Sequence, residues 1–390
     1  MRLLLSTLLL LSTLFAETYE EYAASQKGEY NQYKTELEKE FADYQKAMQE
    51  EFKHYKKTLE TYWDNPQIDN PNKWTTYSKD NNTRTIVDFE KGVIKVQTQT
   101  ADVKQAIQKA KTALATAITV DKKTALKNDP LEKRIAKRIA KMKHLKKAEP
   151  TNSPILSDIF FAAKATSNAV NQKVKKLFKS ANKSVKQTPK KKRKYVEIEI
   201  PLPKKKGAKK LPEYMAKKAS NFTGFAKKYA KKEGVPYPLV MAIMQSESSF
   251  NPMARSHVPA FGLMQVVPRS AGKDATRYLE GKMRMLSPSY LYNSENNVKT
   301  GAAYLHILYY SYLKKIKNPQ SRLYCSIAAY NTGAGNVAKA FIGNTKIGRA
   351  SKKINTLSPD DVYETLIDDL PYDETKHYLK KVAKRMALYQ

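Results

Sequence analysis

The stretch of this chain best equipped for chemistry runs from Val240 to Gln265, VMAIMQSESSFNPMARSHVPAFGLMQ. It begins as a dense apolar segment of good helix formers and turns polar after Gln245. Asn251-Pro252, a pair that ends helices and opens turns, closes the helical part. On a helix Val240, Ile243, Met244 and Glu247 fall at i, i+3, i+4 and i+7, which is one face. Glu247 thus extends an apolar stripe, where desolvation penalises the carboxylate and raises the carboxyl pKa. An acid still protonated near neutral pH is what general-acid cleavage of a glycosidic bond requires. A glutamate in that place can equally cap the polar end of a core helix and do no more.

Two more short motifs stand downstream, Gly262-Leu263-Met264-Gln265 and Ala329-Tyr330-Asn331. With Glu247-Ser248 they span about eighty residues, and in this order they resemble the motif triplet of the goose-lysozyme-like lytic murein transglycosylases. The resemblance extends over essentially the whole region from Leu211 onward. It takes in GKDATRYL, the helix start from Glu295 to Gly301, and PYDETKHYLKKV.

That resemblance implies a lysozyme-like helical catalytic domain acting on peptidoglycan glycan strands. Glu247 would be the sole catalytic carboxyl group. It would protonate the oxygen joining N-acetylmuramic acid to N-acetylglucosamine, then take the proton of the muramoyl 6-hydroxyl as that oxygen attacks C1. A 1,6-anhydro ring forms and no water is consumed, so a second carboxylate is not needed. Hydrolytic glycosidases, by contrast, hold two carboxyl groups ~5–5.5 Å apart when retaining and ~6.5–9.5 Å when inverting.

The resemblance also assigns substrate-binding positions to Ser248, Ser256, Met264, Gln265, Tyr330, Asn331 and Tyr378. Ser256 would lie near the acetamido group, Gln265 would bind sugar hydroxyls and Met264 would form an apolar wall. Tyr330 would bring its phenol close to Glu247 or the reacting sugar, Asn331 would fix its loop or bind sugar, and Tyr378 would line the cleft. Ser248 can instead anchor the turn through backbone bonds, and Tyr330 and Tyr378 can be core tyrosines. The chain departs from the family at His257-Val258-Pro259-Ala260. Many members have Pro-Val-Gly-Ala there, so Pro259 stands where they keep a flexible glycine.

Two competing readings remain open at this stage. A lysozyme-type hydrolase would need a second acid facing Glu247, such as Asp274, Glu280 or Glu295. A non-catalytic wall-binding protein would work through its basic N-terminal half, and an intact Glu247 in its motif weighs against it.

The rest of the chain has to position these residues. At 390 residues it holds two domains of ordinary size. Lys and Arg number 71 against 37 Asp and Glu, a formal charge of +34 that calls for anionic partners. The one cysteine, Cys325, excludes an intrachain disulfide. His257, His306 and His377 are too scattered for a metal spacing, and no Gly-rich phosphate loop is present, so neither metal nor cofactor is expected. Residues 1–16 read as a secretory signal peptide, with Arg2 before the apolar run Leu3 to Phe15 and Ala16 at the cleavage position. No lipobox cysteine is present, so a periplasmic protein without a lipid anchor is expected. An exported protein rarely meets nucleic acid. The basic runs Lys190 to Lys194 and Lys204 to Lys210 therefore suit murein or an anionic membrane surface, with a solvated linker as the plainer reading.

Residues 17–203 read as an α+β domain. Tyr19, Tyr30, Phe41, Phe52 and Trp63 recur every eleven residues, as do Tyr22, Tyr33, Tyr44 and Tyr55, and Leu37, Met48 and Leu59. That period keeps the columns on one stripe of a helix of ~3.67 residues per turn, so one long helix ending at Asn65-Pro66 is expected. Trp74 to Tyr77, Arg84 to Phe89 and Val93 to Gln97 alternate as strands, the last two joined across Lys91-Gly92. Tyr195 to Ile200 reads as a strand that can rejoin this small sheet, and helices fill about Ala101 to Ala148. The pattern TRTIVDFEKGVIKV resembles the N-terminal domain of a membrane-bound member of the same family. Residues 204–210 form the expected basic linker, and 211–390 a compact helical domain. The expected class is mainly α.

Overall fold

The computed structural model describes residues 19–188, 190, 193–204 and 211–390. The expected signal peptide and nearly all of the Lys204–Lys210 run lie outside them. Helix α1 (Tyr19–Glu60) is continuous over 42 residues. From Tyr33 onward its eleven-residue columns form a stripe turned toward the core, whereas Tyr30 is exposed. Leu37, Phe41, Tyr44, Met48 and Leu59 are buried, and Tyr33, Phe52 and Tyr55 pack half-buried against the same core. The stripe faces protein rather than solvent, as apolar columns at helical spacing usually do.

Strands β1 (Lys73–Tyr77), β2 (Thr83–Asp88) and β3 (Val93–Thr98) form an antiparallel meander. Helices α2 (Val103–Ala117), α3 (Lys122–Asn128) and α4 (Pro130–Ile139) follow, each capped by an aspartate, Asp102, Asp121 and Asp129. Pro130 opens α4 at its first turn, where a missing N–H costs nothing, rather than breaking a helix. Short β4 (Leu145–Lys146), α5 (Ser157–Phe160) and α6 (Ser167–Lys179) come next. Strands β5 (Asn182–Gln187) and β6 (Lys194–Pro201) complete a five-stranded sheet in the order β1-β2-β3-β6-β5. The expected return strand is thus real, pairing Val96 with Ile198 and Val93 with Pro201.

Strand β5 was not legible. Asn-Lys-Ser-Val-Lys-Gln is an edge strand with every residue exposed, so no hydrophobic alternation marks it. Its presence also corrects the reading of the first basic run. Of that run, Lys190 and Arg193 lie between the paired strands β5 and β6 rather than in an interdomain linker, Lys194 begins β6, and Arg193 donates to the Thr61 and Tyr62 carbonyls at 3.3 and 3.0 Å.

The C-terminal part is helical: α7 (Glu213–Glu233), α8 (Tyr237–Ser248) and α9 (Lys273–Glu280), then β7 (Met285–Leu286), which pairs in parallel with β4. Next come α10 (Pro288–Tyr292), α11 (Ser294–Ile307), α12 (Pro319–Thr332) and α13 (Ala334–Ile342). The series ends with α14 (Ile347–Ile354), α15 (Pro359–Asp369) and α16 (Asp373–Met386). Among the described residues the fold is mainly α, with a five-stranded antiparallel sheet in the N-terminal part and the short β4–β7 pair.

The two parts meet along buried polar contacts. Buried Lys122 donates to the Tyr292 carbonyl and Ser294 Oγ, both at 2.9 Å, and burial lowers its pKa to about 7. Lys218 donates to the Ile155 carbonyl at 2.8 Å and pairs with Asp158 at 3.1 Å. Helix α1 reaches the helical part through Lys273–Glu38 at 2.9 Å and Arg269–Gln45 at 3.2 Å. Arg255 lies at the centre of this interface. Its guanidinium meets Asp69 at 3.1 Å, Asp129 at 3.0 Å and Glu132 at 2.8 Å.

Candidate active site

Helix α7 stops at Gly234, whose φ of 64° is the left-handed cap, and Pro236-Tyr237-Pro238 starts α8 at once. Helix α8 is not amphipathic in the expected sense. From Leu239 to Phe250 every residue is buried except Glu247, which is only partly so. The stripe seen in the sequence is one face of a helix covered nearly all round, chiefly by α7 and α16. The helix is a core spine, and Glu247 is its one partly exposed residue beyond Pro238.

Just past Glu247 the backbone turns sharply. Ser249 and Phe250 take left-handed φ values of 51° and 61°, costly for non-glycine residues. Packing holds them there: the Phe250 ring is fully buried, 6.3 Å from Phe222 and 6.4 Å from Tyr389 between centroids. Asn251 fixes the turn across the interface by donating to the Pro71 carbonyl at 3.1 Å.

Burial is the main cause that raises the Glu247 pKa to about 7. Its lesser influences come from α16. The Tyr378 hydroxyl and Lys381 favour the carboxylate, and Glu374 opposes it. The Tyr378 hydroxyl is itself buried and makes no hydrogen bond of full geometry, so it is close to Glu247 without being committed to any protein group. Burial, and next the nearby Glu247 charge, push the phenols of Tyr330 and Tyr378 up. Glu247 from α8, Tyr330 from α12 and Tyr378 from α16 are therefore neighbours, although far apart in sequence.

The second motif is held by a residue whose role the sequence did not announce. Asn297, fully buried on α11, donates to the Phe261 and Leu291 carbonyls at 2.7 and 3.0 Å and accepts from the Met264 N–H at 2.8 Å. Gly262 has φ of 72°, and a Cβ there would lie 2.3 Å from Asn297 Nδ2 and 2.5 Å from the Leu291 carbonyl oxygen. Only glycine fits. Gly262→Ala is expected to destabilise the protein by at least about 2 kcal/mol. The double variant with Asn297→Ala should not recover that loss, because the Leu291 backbone clash persists. Urea denaturation of the two variants checks both statements.

The remaining assigned positions divide. Ser248 is fully buried, and its hydroxyl is directed to the Met244 and Leu263 carbonyls at 3.0 and 2.8 Å. These bonds anchor the motif turn, the backbone role that a serine at a helix end can take. Met264 is likewise buried, packed against Gly301. Its carbonyl accepts from the Tyr330 hydroxyl at 2.8 Å, which ties the second motif to the third. Gln265 is almost buried, and its Nε2 donates to the Gly262 carbonyl at 3.0 Å. Asn331 accepts from Thr375 Oγ1 at 2.7 Å, bracing α12 against α16. Ser256 is partly exposed. It begins the loop that holds Pro259, closed by a Ser256 N–H to Ala260 carbonyl bond of 3.0 Å.

The acids weighed for a two-carboxylate mechanism are engaged elsewhere. Asp274 accepts from the Tyr312 hydroxyl at 3.0 Å. Glu280 pairs with Lys146 and, at 3.6 Å, with Arg284. Glu295 accepts from Lys228 at 2.7 Å and Tyr229 at 2.9 Å. The carboxylate whose charge does reach Glu247 is Glu374, which is exposed on α16.

Residues 224–352 match the family model of the transglycosylase SLT domain. Among characterised relatives, membrane-bound lytic murein transglycosylase C of Sodalis glossinidius is 47% identical over 172 residues, 44% of this chain and 47% of that protein. The protein of the same name from Cronobacter sakazakii is 46% identical over 180 residues, 46% of this chain and 49% of the relative. The chain thus aligns with about half the length of the curated relatives it matches. The 70 kDa soluble lytic transglycosylase of Escherichia coli overlaps 73% of this chain and 43% of its own at 19% identity, with a TM-score of 0.34. An overlap that loose leaves the fold to be read from this chain itself.

Proposed function

We propose that this protein is a peptidoglycan lytic transglycosylase in which Glu247 acts first as acid and then as base. The observation that carries the reading is the state of Glu247: a carboxyl on a helix otherwise buried from Leu239 to Phe250, flanked by Tyr330 and Tyr378, with its pKa raised by burial to about 7. Near neutral pH such a group is split between its two forms, so it can give a proton to the glycosidic oxygen and retrieve one afterwards. The acid donates to the oxygen between N-acetylmuramic acid and N-acetylglucosamine. The resulting carboxylate takes the proton of the 6-hydroxyl, whose oxygen bonds to C1 and closes the 1,6-anhydro ring. The relatives' names support murein as the substrate. Tyr378 supports the carboxylate stage by the hydroxyl it holds uncommitted beside Glu247.

Mass spectrometry of digested sacculi tests this directly. The expected products are lighter by one water than hydrolytic ones and have no reducing end. Reducing-end products would establish a hydrolase instead, and Glu374 is the acid such a mechanism would recruit.

The site of action is the periplasm, reached through the expected signal peptide. Among the described residues no helix is long and apolar enough to cross a membrane. The formal charge of +34 suits attachment to wall or anionic lipid. At ~0.15 M salt the Debye length is ~8 Å, so exposed lysines act only at close range. Pelleting with murein is expected to weaken as salt rises, and to fall when the lysines of 190–194 and 204–210 are changed to glutamine. Binding indifferent to both changes would refute the electrostatic attachment.

A further inference from the structure

A cavity of about 950 Å³ opens in the N-terminal part of the molecule, and none of the residues assigned to the cleft lines it. Its size is that of a small-ligand site, ~300–1,000 Å³. Strand β1 forms one wall with Thr75 and Tyr77, helix α2 the other with Thr112 and Thr116, and Tyr55 and buried Trp74 complete it. Hydroxyl groups beside aromatic rings suit a sugar, whose hydroxyls need hydrogen bonds and whose ring faces need a flat partner.

One of these groups is unmet. The Thr75 hydroxyl is buried without a hydrogen-bond partner. Tyr77 spends its own hydroxyl on the Gln67 backbone. The charges on the cavity are divided by depth. On the floor Asp69 and Asp129 are already paired with Arg255. At the mouth stand Lys79, Lys109 and Lys133, and the one acid there, Asp80, is held by Ser78 and Asn82. The mouth is therefore cationic above neutral walls.

We propose that this cavity binds a small saccharide bearing a carboxylate, a fragment of the muramoyl type, at a site separate from the catalytic cleft. The identity of the sugar rests on the reading given under Proposed function. The sugar rings lie among Tyr55, Tyr77 and the threonines, and the lactyl carboxylate meets the lysines at the mouth.

The test is calorimetric titration of the full chain carrying Glu247→Gln, so that nothing is turned over. The probes are the disaccharide N-acetylglucosaminyl-1,6-anhydro-N-acetylmuramic acid and neutral chitobiose. Thr116→Trp, on the exposed side of α2, is expected to weaken a binding step for the first probe at least about tenfold. Lys79→Gln/Lys109→Gln/Lys133→Gln, which leaves the walls intact, is expected to weaken the carboxylate probe while sparing chitobiose. An isotherm unchanged by both variants overturns the proposal, and equal loss for both sugars in the lysine variant overturns the carboxylate contact. Murein cleavage by the same variants in the Glu247 background separates the two readings. Cleavage without variant-sensitive binding sinks the cavity site alone. Variant-sensitive binding by a protein that leaves murein intact keeps the site and removes the transglycosylase.

Discussion

Glu247→Gln is expected to lower murein cleavage by about 10²–10⁴-fold or more, because one group serves both proton transfers. The same change is expected to make the folded protein more stable at alkaline pH. The sign follows from the raised pKa, about 7 in the folded chain against 4.5 for an ordinary glutamate. Between these values the folded state binds more protons than the unfolded one, so the contribution of Glu247 is fully present below pH 4.5 and is lost as pH rises through 7. Glutamine never ionises and carries no such loss. The variant's advantage should be small near pH 4.5 and reach about 1–3 kcal/mol above pH 8. Urea denaturation of both proteins at several pH values measures it, alongside product release from sacculi. A variant that is inactive and no more stable at pH 8 would mean that burial does not tune this acid. For the wild type, cleavage should decline as pH rises past about 7, where the donating form disappears. A residue kept at a cost to stability is what a working catalytic acid predicts.

Arg255→Met is expected to be the most damaging single change to the fold, by about 3–5 kcal/mol. It leaves Asp69, Asp129 and Glu132 around an apolar side chain, where one guanidinium now meets all three at 2.8–3.1 Å. Even with the arginine present, burial raises the pKa of Asp69 to about 7 and raises that of Glu132. Without it the two must climb further. Their folded forms then hold protons that the unfolded chain releases, so the loss should grow as pH rises from 5 to 8 and shrink on acidification. Denaturation midpoints at pH 5.5 and 8 decide the matter. A pH-independent loss would mean that Arg255 contributes packing, through contacts such as the Phe52 ring 5.6 Å away, rather than charge. The backbone of Arg255 also pairs with Phe261 at the base of the Ser256–Ala260 loop. Cleavage activity measured below the unfolding range should therefore fall with this variant as well, as the loop loses its anchor.

The sequence by itself determined the elements whose signal is periodic or local. The eleven-residue columns of α1 were legible because a helix of that length has to bury one stripe, and Leu37, Phe41 and Met48 are on it. The sheet's alternating strands announced themselves for the same reason, whereas β5, exposed at every position, carried no pattern to read. Glu247 was legible from its motif, but the geometric argument behind it was only half right. Helix α8 is buried nearly all round, so its apolar stripe does not mark a face. Tertiary packing decided the rest: that burial raises the Glu247 pKa, that Ser248 and Met264 turn inward, and that Tyr330 and Tyr378 meet at the carboxyl group. The Arg255 cluster gave no sequence signal, because its carboxylates lie more than a hundred positions earlier, as the 123-residue separation from Glu132 illustrates. A buried charge is specified by the partners the fold brings to it, and neither spacing nor composition records where three separate segments will converge.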